Sequence, residues 1–266
     1  FTNHPLHLSN INNVVGSNYG LAALTNHGSV YTWGVNKQGG SSEIIFNETK
    51  PRIEPISISS LIQNGVKSIC ASATAFAALK DDGSVITWGS QAGGGNGNGF
   101  GGKLTGGVAG ELQYGVKELV SGREGFCAIK ENGSLVIWSY LRGTVIPSNN
   151  RLVNKVSSCG QWFAVLYSDG SVSSFSRWGD KINLSLYNLD DSIEEKLSSN
   201  ITNIYATGAA FAALTNNGSV ITWRVTERRT HDGVHIEFGD DSSSVANELN
   251  SDILGLADPS TDDILI

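Results

Sequence analysis

The sequence predicts an all-β protein, a β-propeller, and three observations carry that prediction. One hairpin motif recurs five times within 266 residues, its copies run nearly end to end, and 32 glycines accompany a charged fraction of only 16%. Low charge with abundant glycine fits turn-rich β structure with few amphipathic helices. A chain of this length buries roughly 70–75% of its unfolded surface, so its core needs no disulfide or metal staple.

The motif is clearest at residues 75–89, Ala-Phe-Ala-Ala-Leu-Lys-Asp-Asp-Gly-Ser-Val-Ile-Thr-Trp-Gly, and returns almost intact at 210–223. Residues 21–34 form another copy, and residues 126–138 keep Asn132-Gly133-Ser134 between two apolar runs. A worn copy at 163–175 retains Asp169-Gly170-Ser171-Val172 but ends on Phe175, with Trp178 three positions later. The central glycines are Gly28, Gly83, Gly133, Gly170 and Gly218, so the spacing varies while the motif does not. Self-similarity at this period marks a stacked repeat architecture.

Each copy reads as a β-hairpin: an apolar strand, a polar-Gly turn and an alternating strand closed by tryptophan. Asx-Gly pairs predict two-residue primed turns, whose positive φ angles match the strand twist. Short strand-like runs precede the hairpins at 13–15, 66–70, 116–120, 153–156 and 201–205, giving three strands per repeat. A fourth strand is expected after each tryptophan, with 44–46 and 184–187 as candidates. Such small sheets cannot bury both faces alone, and radial stacking covers them while protecting edges. The expectation is a single domain over residues 1–266, with five clear repeats, a partial sixth, and between five and seven blades. Residues 253–257 would begin the sixth copy. The C-terminal 263–266 would close the array by adding a strand to the blade begun at residues 12–15.

Charge and motif content narrow the function. A net charge of −7 argues against nucleic acid and anionic membrane as partners, since both recruit clustered Lys/Arg. The basic group Arg224, Arg228 and Arg229 lies beside Glu227 in an insertion over 225–238 and reads as a solvated hairpin tip. The glycine-rich run 93–110 lacks the Lys-Ser/Thr ending of a phosphate cradle and reads as a blade loop. No apolar run reaches membrane-span length, and the given residues are not expected to include a signal peptide. A chain that opens on Phe1 and contains no methionine is expected to be a segment of a longer protein.

Three cysteines do not make a disulfide framework. Cys70, Cys127 and Cys159 fit buried small apolar positions, although one Cys70–Cys159 bridge stays open. His231 and His235 are four apart, but Asp232-Gly233 and the alternation of 234–238 indicate turn and strand, not a helical metal face. His4 and His7 lack acidic or sulfur ligands nearby. Asp81-Asp82 and Asp190-Asp191 sit where aspartate caps turns. No catalytic group, metal site or cofactor is expected, and the chain is not read as an enzyme.

The recurrent Leu, polar pair, Gly, β-branched strand and Trp resemble the repeats of the regulator of chromosome condensation family. Residues 33–40, Trp-Gly-Val-Asn-Lys-Gln-Gly-Gly, are similar to that family's segment after the tryptophan. Closest in flavour is a bacterial branch with the Ala-Phe-Ala-Ala-Leu, Asp-Gly-Ser-Val, Thr-Trp-Gly core, and residues 239–249 resemble its linker. The resemblance covers about residues 11–257. Family members often have seven blades, and this chain shows no counterpart of the nucleotide-exchange wedge. What the resemblance implies is a propeller that grips a protein with loops on one face, as in the propeller-type β-lactamase inhibitor. Guanine-nucleotide exchange on a small GTPase is the alternative, and a carbohydrate-binding propeller the third. The implied setting is a bacterial, secreted or surface protein in host interaction or a toxin assembly.

The contact candidates are the turns joining each first strand to its hairpin, fixed in place by the repeat while their residues vary. They present Asn18-Tyr19, Ala73-Thr74, Arg123-Glu124, Gln161-Trp162 and Gly208-Ala209. Tyr, Arg and Trp are enriched at binding hot spots, so Asn18, Tyr19, Thr74, Arg123, Glu124, Gln161 and Trp162 are the expected binding residues. Trp162 has a second reading, packing against a neighbouring blade. Trp33, Trp88, Trp138 and Trp223 recur with the motif and are expected in the core.

Overall fold

The computed structural model describes residues 9–35, 58–95, 108–140, 142–184, 192–208, 210–225, 230–231 and 234–235. The expected strands at 44–46, 253–257 and 263–266, the linker at 239–249, and residues His4, His7, Asp190, Asp191, Arg228 and Arg229 lie outside them. So do 185–187, while Leu184 falls in no strand. All described sheets are antiparallel.

The first three strands, β1 (Ile11–Gly16), β2 (Gly20–Thr25) and β3 (Val30–Gly34), form one sheet in sequence order. The second holds β4 (Val66–Ala71), β5 (Ala75–Lys80) and β6 (Val85–Gly89). After a one-turn helix α1 (Val108–Glu111) comes the third sheet: β7 (Val116–Gly122), β8 (Gly125–Lys130), β9 (Leu135–Ser139) and β10 (Arg142–Ile146). The expected fourth strand is therefore present there, at a position the sequence does not flag. The fourth sheet is β11 (Val153–Cys159), β12 (Trp162–Tyr167) and β13 (Val172–Ser176). Following α2 (Ile193–Lys196), the fifth comprises β14 (Ile201–Ala206), β15 (Ala210–Thr215) and β16 (Val220–Arg224). Within the insertion, Thr230–His231 pairs with Val234–His235, the short hairpin expected there.

The residues fall into two compact units, each described by itself. The first contains sheets one to three plus Arg177–Gly179, and the second contains sheets four and five.

All five hairpin turns share one geometry, and it corrects the two-residue primed turn. In the second sheet the Lys80 N–H donates to Ser84 O at 2.8 Å and the Gly83 N–H to Lys80 O at 3.0 Å, leaving a three-residue loop, Asp81-Asp82-Gly83. The same pair of bonds recurs at residues 25–29, 130–134, 167–171 and 215–219. Only glycine takes a positive φ, between 76° and 81° across the five copies. A turn that ends on one left-handed residue is the three-residue hairpin pattern. The residue before the glycine locks the loop with its side chain: Asp82 Oδ1 accepts from the Ser84 N–H at 2.9 Å and its hydroxyl at 2.6 Å. Asn132 and Asp169 repeat this with Ser134 and Ser171, whereas in the first copy, where His27 precedes the glycine, the Ser29 N–H donates to Thr25 Oγ1 at 3.0 Å.

Ser84's hydrogen bonds hold the Asp82 carboxyl below its ordinary value of 3.8, and those of Ser171 do the same for Asp169. A depressed folded pKa means stability present above the unfolded value and lost as pH falls through the folded one. Asp82→Asn should therefore flatten the fall in melting temperature below about pH 4, measured by thermal scans across that range; an unaltered acid limb would show that the bonds do not couple to folding.

Every first strand carries a bulge at its second residue, at Asn12, Lys67, Lys117, Asn154 and Thr202, all exposed. A bulge sharpens strand twist locally, so its recurrence gives each sheet a matching coil.

Packing follows the repeat. In the first unit Ala22 and Leu24 of the first sheet, with Ile58 and Ile62 of the connector, cover Phe76, Ala78 and Trp88 of the second. One step on, Ala77 and Leu79 with Val108 and Leu112 cover Phe126, Ala128 and Trp138. In the second unit Ala164 and Leu166 with Ile193 and Leu197 meet Phe211, Ala213 and Trp223. Each of these Phe rings lies against its cross-strand Trp with centroids 5.3–5.4 Å apart, stacked in the second and fifth sheets and tilted in the third. Backbone bonds stitch the sheets too: the Val66, Val116 and Ile201 N–H groups each donate at 3.0 Å to the turn-glycine carbonyls of Gly28, Gly83 and Gly170.

Trp33 departs from the expectation, being only partly buried. The same sheet face exposes Val14, Leu21 and Tyr31 at 51%, 39% and 45%, whereas the equivalent Ile69, Phe76 and Ile86 are buried. Trp88, Trp138 and Trp223 are in the core as expected.

The cysteines are free, so the Cys70–Cys159 bridge is absent. Burial pushes the Cys70 and Cys159 thiols up to about 12 and Cys127 higher still, which favours the protonated thiol in all three.

Candidate functional site

The end of each sheet opposite the hairpin loops carries the turn between first and second strands. In the first unit these turns are joined by main chain: the Asn18 N–H donates to Ala73 O and the Ala73 N–H to Arg123 O, both at 2.8 Å. Three turns thus form one continuous rim. A hydroxyl braces two of them, Ser17 Oγ accepting from the Gly20 N–H at 2.9 Å and Ser72 Oγ from the Ala75 N–H at 3.1 Å. Thr207 repeats the device in the second unit, accepting from the Ala210 N–H at 3.0 Å. Its signal in the sequence is a Ser/Thr three residues before the small residue that opens the hairpin.

On that rim Asn18 is exposed and Tyr19 is 51% exposed. Thr74 is half-buried beneath the loop after Trp88: Ser90 N–H donates to Thr74 O at 2.9 Å, and Ser72 Oγ donates to Gly93 O at 2.8 Å. Gly93 lies so near that an added Cβ would sit 2.5 Å from Thr74 Oγ1. Arg123 is exposed. Glu124 is half-buried and ion-paired with Arg177.

In the second unit the register moves the fourth turn by one. Cys159 pairs directly with Trp162, so the two-residue turn is Gly160-Gln161. Trp162 opens β12 opposite Ser176, where Ala75 faces Gly89 and Ala210 faces Arg224. It is half-buried and packs against that unit's core, the second of its two readings. Gln161 is half-buried in the turn. Gly208 is exposed, and Ala209 lies outside the described residues.

Sequence reasoning missed the surroundings of Arg123-Glu124. Gly125 pairs with Ser139 and Ser139 with Arg142, so the turn from β9 to β10 emerges at the same end as the rim. It brings Tyr140, 47% exposed, and Arg142. The displaced tryptophan of the worn repeat joins them. The Arg177 guanidinium lies 4.5 Å and that of Arg142 5.8 Å from the centre of the Trp178 ring. Gly179 backs the segment onto β10, where an added Cβ would be 2.6 Å from Thr144 Cβ. Arg177 Nε is buried with no hydrogen-bond partner among the described residues, and desolvation lowers that guanidinium's pKa.

Among the described residues no group of three or more His, Cys, Asp and Glu side chains is placed to hold a metal, and no helix is long and apolar enough to cross a membrane. The site offers hydrogen bonds, cations and aromatic faces: equipment for recognition.

Repeated antiparallel sheets of three or four strands, three of which pack a Phe/Trp face on the sheet before, place the chain in the all-β class with a regulator-of-chromosome-condensation-like β-propeller fold. Human WBSCR16 has a similar structure, with a TM-score of 0.52 at 19% identity over 80% of this chain and 61% of that one. Prp20p from Saccharomyces cerevisiae, solved in a study of its binding to Gsp1p and histones, gives 0.49 at 16% identity over 80% and 58% of the two chains. Yeast RCC1 (Prp20) with Kap60 gives 0.47 at 16% over 80% and 55%. The chain spans about three fifths of the length of these solved structures. No protein-family model and no curated protein sequence matches it.

Proposed function

We propose that this chain is a non-enzymatic recognition module, one propeller domain over residues 1–266, which holds a protein partner on its turn end. The supporting observation is the rim itself: a hydrogen-bonded main-chain row, Asn18 to Ala73 to Arg123, presents different side chains at each step. A rigid backbone with variable tips costs little ordering entropy on binding, which favours recognition. Tyr19, Arg123 and Glu124 are the primary contacts, flanked by Asn18 and Thr74. Gln161 and Trp162 extend the proposal to the second unit, with Trp162 also a packing residue. The narrower part of the proposal sets the module in a bacterial protein, host-interacting or toxin-associated and outside the cell. It rests on the flavour of the repeat motif alone.

The double variant Tyr19→Ala/Arg123→Ala should lose capture of a specific protein by the immobilised chain while its melting temperature holds, because neither side chain is in the core. Undiminished capture would overturn the reading. The rival is guanine-nucleotide exchange, and accelerated nucleotide release from a panel of small GTPases would replace our proposal with it. Trp162→Ala should lower the melting temperature as well, in keeping with its packing.

A further inference from the structure

We propose that the arginine and aromatic cluster at the turn end of the third sheet receives an acidic, aromatic-bearing segment of a partner protein. The inference rests on the recognition reading above and adds the partner's chemistry.

Charge is sorted along the first unit. Among its described residues every lysine, Lys67, Lys80, Lys117 and Lys130, lies toward the hairpin-loop end, together with Asp81, Asp82, Glu111, Glu118 and Glu131. Every arginine, Arg123, Arg142 and Arg177, lies at the turn end, with Glu124 as the single carboxylate. In a chain of net charge −7 the described residues of this end are locally cationic. The sorting is also by chemistry. Arginine forks onto carboxylates, stacks on rings and is weakly hydrated, so it suits an interface.

The cluster is built, not scattered. Trp178 lies within reach of two guanidiniums, and Glu124 fixes one of them. Arg177 thereby braces Trp178, while Arg142 and Arg123 remain exposed at its margin. The buried Arg177 Nε supplies a donor with no acceptor among the described residues. Apolar surface continues along the rim: Tyr140 is 47% exposed, and Tyr19 and Val35, joined by a 2.8 Å main-chain bond, are 51% and 49% exposed. Cations beside exposed aromatic faces match a segment alternating carboxylates with apolar side chains.

A phosphate polymer is the competing anion, and the geometry disfavours it. Nucleic acid takes a row of cations along its backbone. Here Glu124 sits among the arginines, and the described rim residues onward to Tyr19 carry no further charge.

The test is fluorescence anisotropy on the full chain with three labelled probes: a short peptide alternating glutamate and phenylalanine, its lysine counterpart, and single-stranded oligothymidylate. The acidic peptide should bind, weaken as salt rises, and lose about tenfold or more in affinity with Arg123→Glu/Arg142→Glu. Arg142→Lys should recover part of that loss, and the melting temperatures should match. No binding of the acidic peptide, equal binding of the lysine peptide, tighter binding of the oligonucleotide, or indifference to the charge reversal would each overturn the inference. If partner capture still depends on Tyr19 while the acidic peptide fails, recognition stands and the acidic chemistry falls; if both fail, both fall.

Discussion

Trp138→Ala is expected to destabilise the protein by about 3–5 kcal/mol, the range for deleting a fully buried aromatic. Trp138 is 0% exposed, pairs with Phe126 at 5.4 Å, and donates its indole N–H to Gly94 O at 3.0 Å. Its loss would empty the seam between the second and third sheets and leave that carbonyl, in a buried loop, without its donor. Trp33→Ala is the control: the same position of the motif, only partly buried, should yield a clearly smaller loss. Denaturant unfolding of both variants reads the difference, and equal losses would contradict the packing described for the third sheet.

Gly83→Ala should cost about 2–3 kcal/mol, although it adds a single methyl group. The residue has φ +78°, strained for alanine, and the new Cβ would stand 2.9 Å from Gly115 N in the next sheet's approach. Relief by shifting would break the 3.0 Å bond from the Val116 N–H to Gly83 O. Gly110→Ala, where nothing lies within 4 Å, should be neutral or slightly stabilising in the same assay. A Gly83 variant as stable as the Gly110 variant would remove the argument that turn glycines serve the seam.

The repeat was legible because a three-stranded sheet imprints itself on sequence in every copy: alternation, turn glycine and terminal tryptophan recur together. The turn type was not, because an Asx-Gly pair suits a primed two-residue turn and equally the last two places of a three-residue loop. The main-chain bonds decide between them: the Lys80 N–H reaches Ser84 O, which encloses three residues. The bulges were invisible because an exposed polar residue early in a strand has no special composition. Of the site, Asn18-Tyr19 and Arg123-Glu124 were readable as variable tips on a fixed scaffold. Trp162 was misplaced by one residue, since Gly160 at φ 58° takes a turn position that the copies above fill with Asn18, Ala73 and Arg123. Arg142 and Trp178 lie outside the motif. Their meeting depends on β10 and on the worn repeat's displaced tryptophan, neither of which self-comparison detects.

The hairpin glycine's carbonyl gives the family of loops a mechanical sense. Because Gly28, Gly83 and Gly170 each hold the next sheet by one hydrogen bond, the loop is a spacer of fixed gauge as well as a turn. Lengthening it by one residue would move the anchor for the following sheet along with the turn. The five copies keep that loop at one length, while the glycine spacing ranges from 37 residues, between Gly133 and Gly170, to 55, between Gly28 and Gly83, so the variation falls in the stretches after the tryptophans. A graft placed in those stretches has to spare the carbonyls of Ile62, Leu112 and Leu197, which accept from the Val30, Val85 and Val172 N–H groups at 2.8 Å and tie each connector to a hairpin.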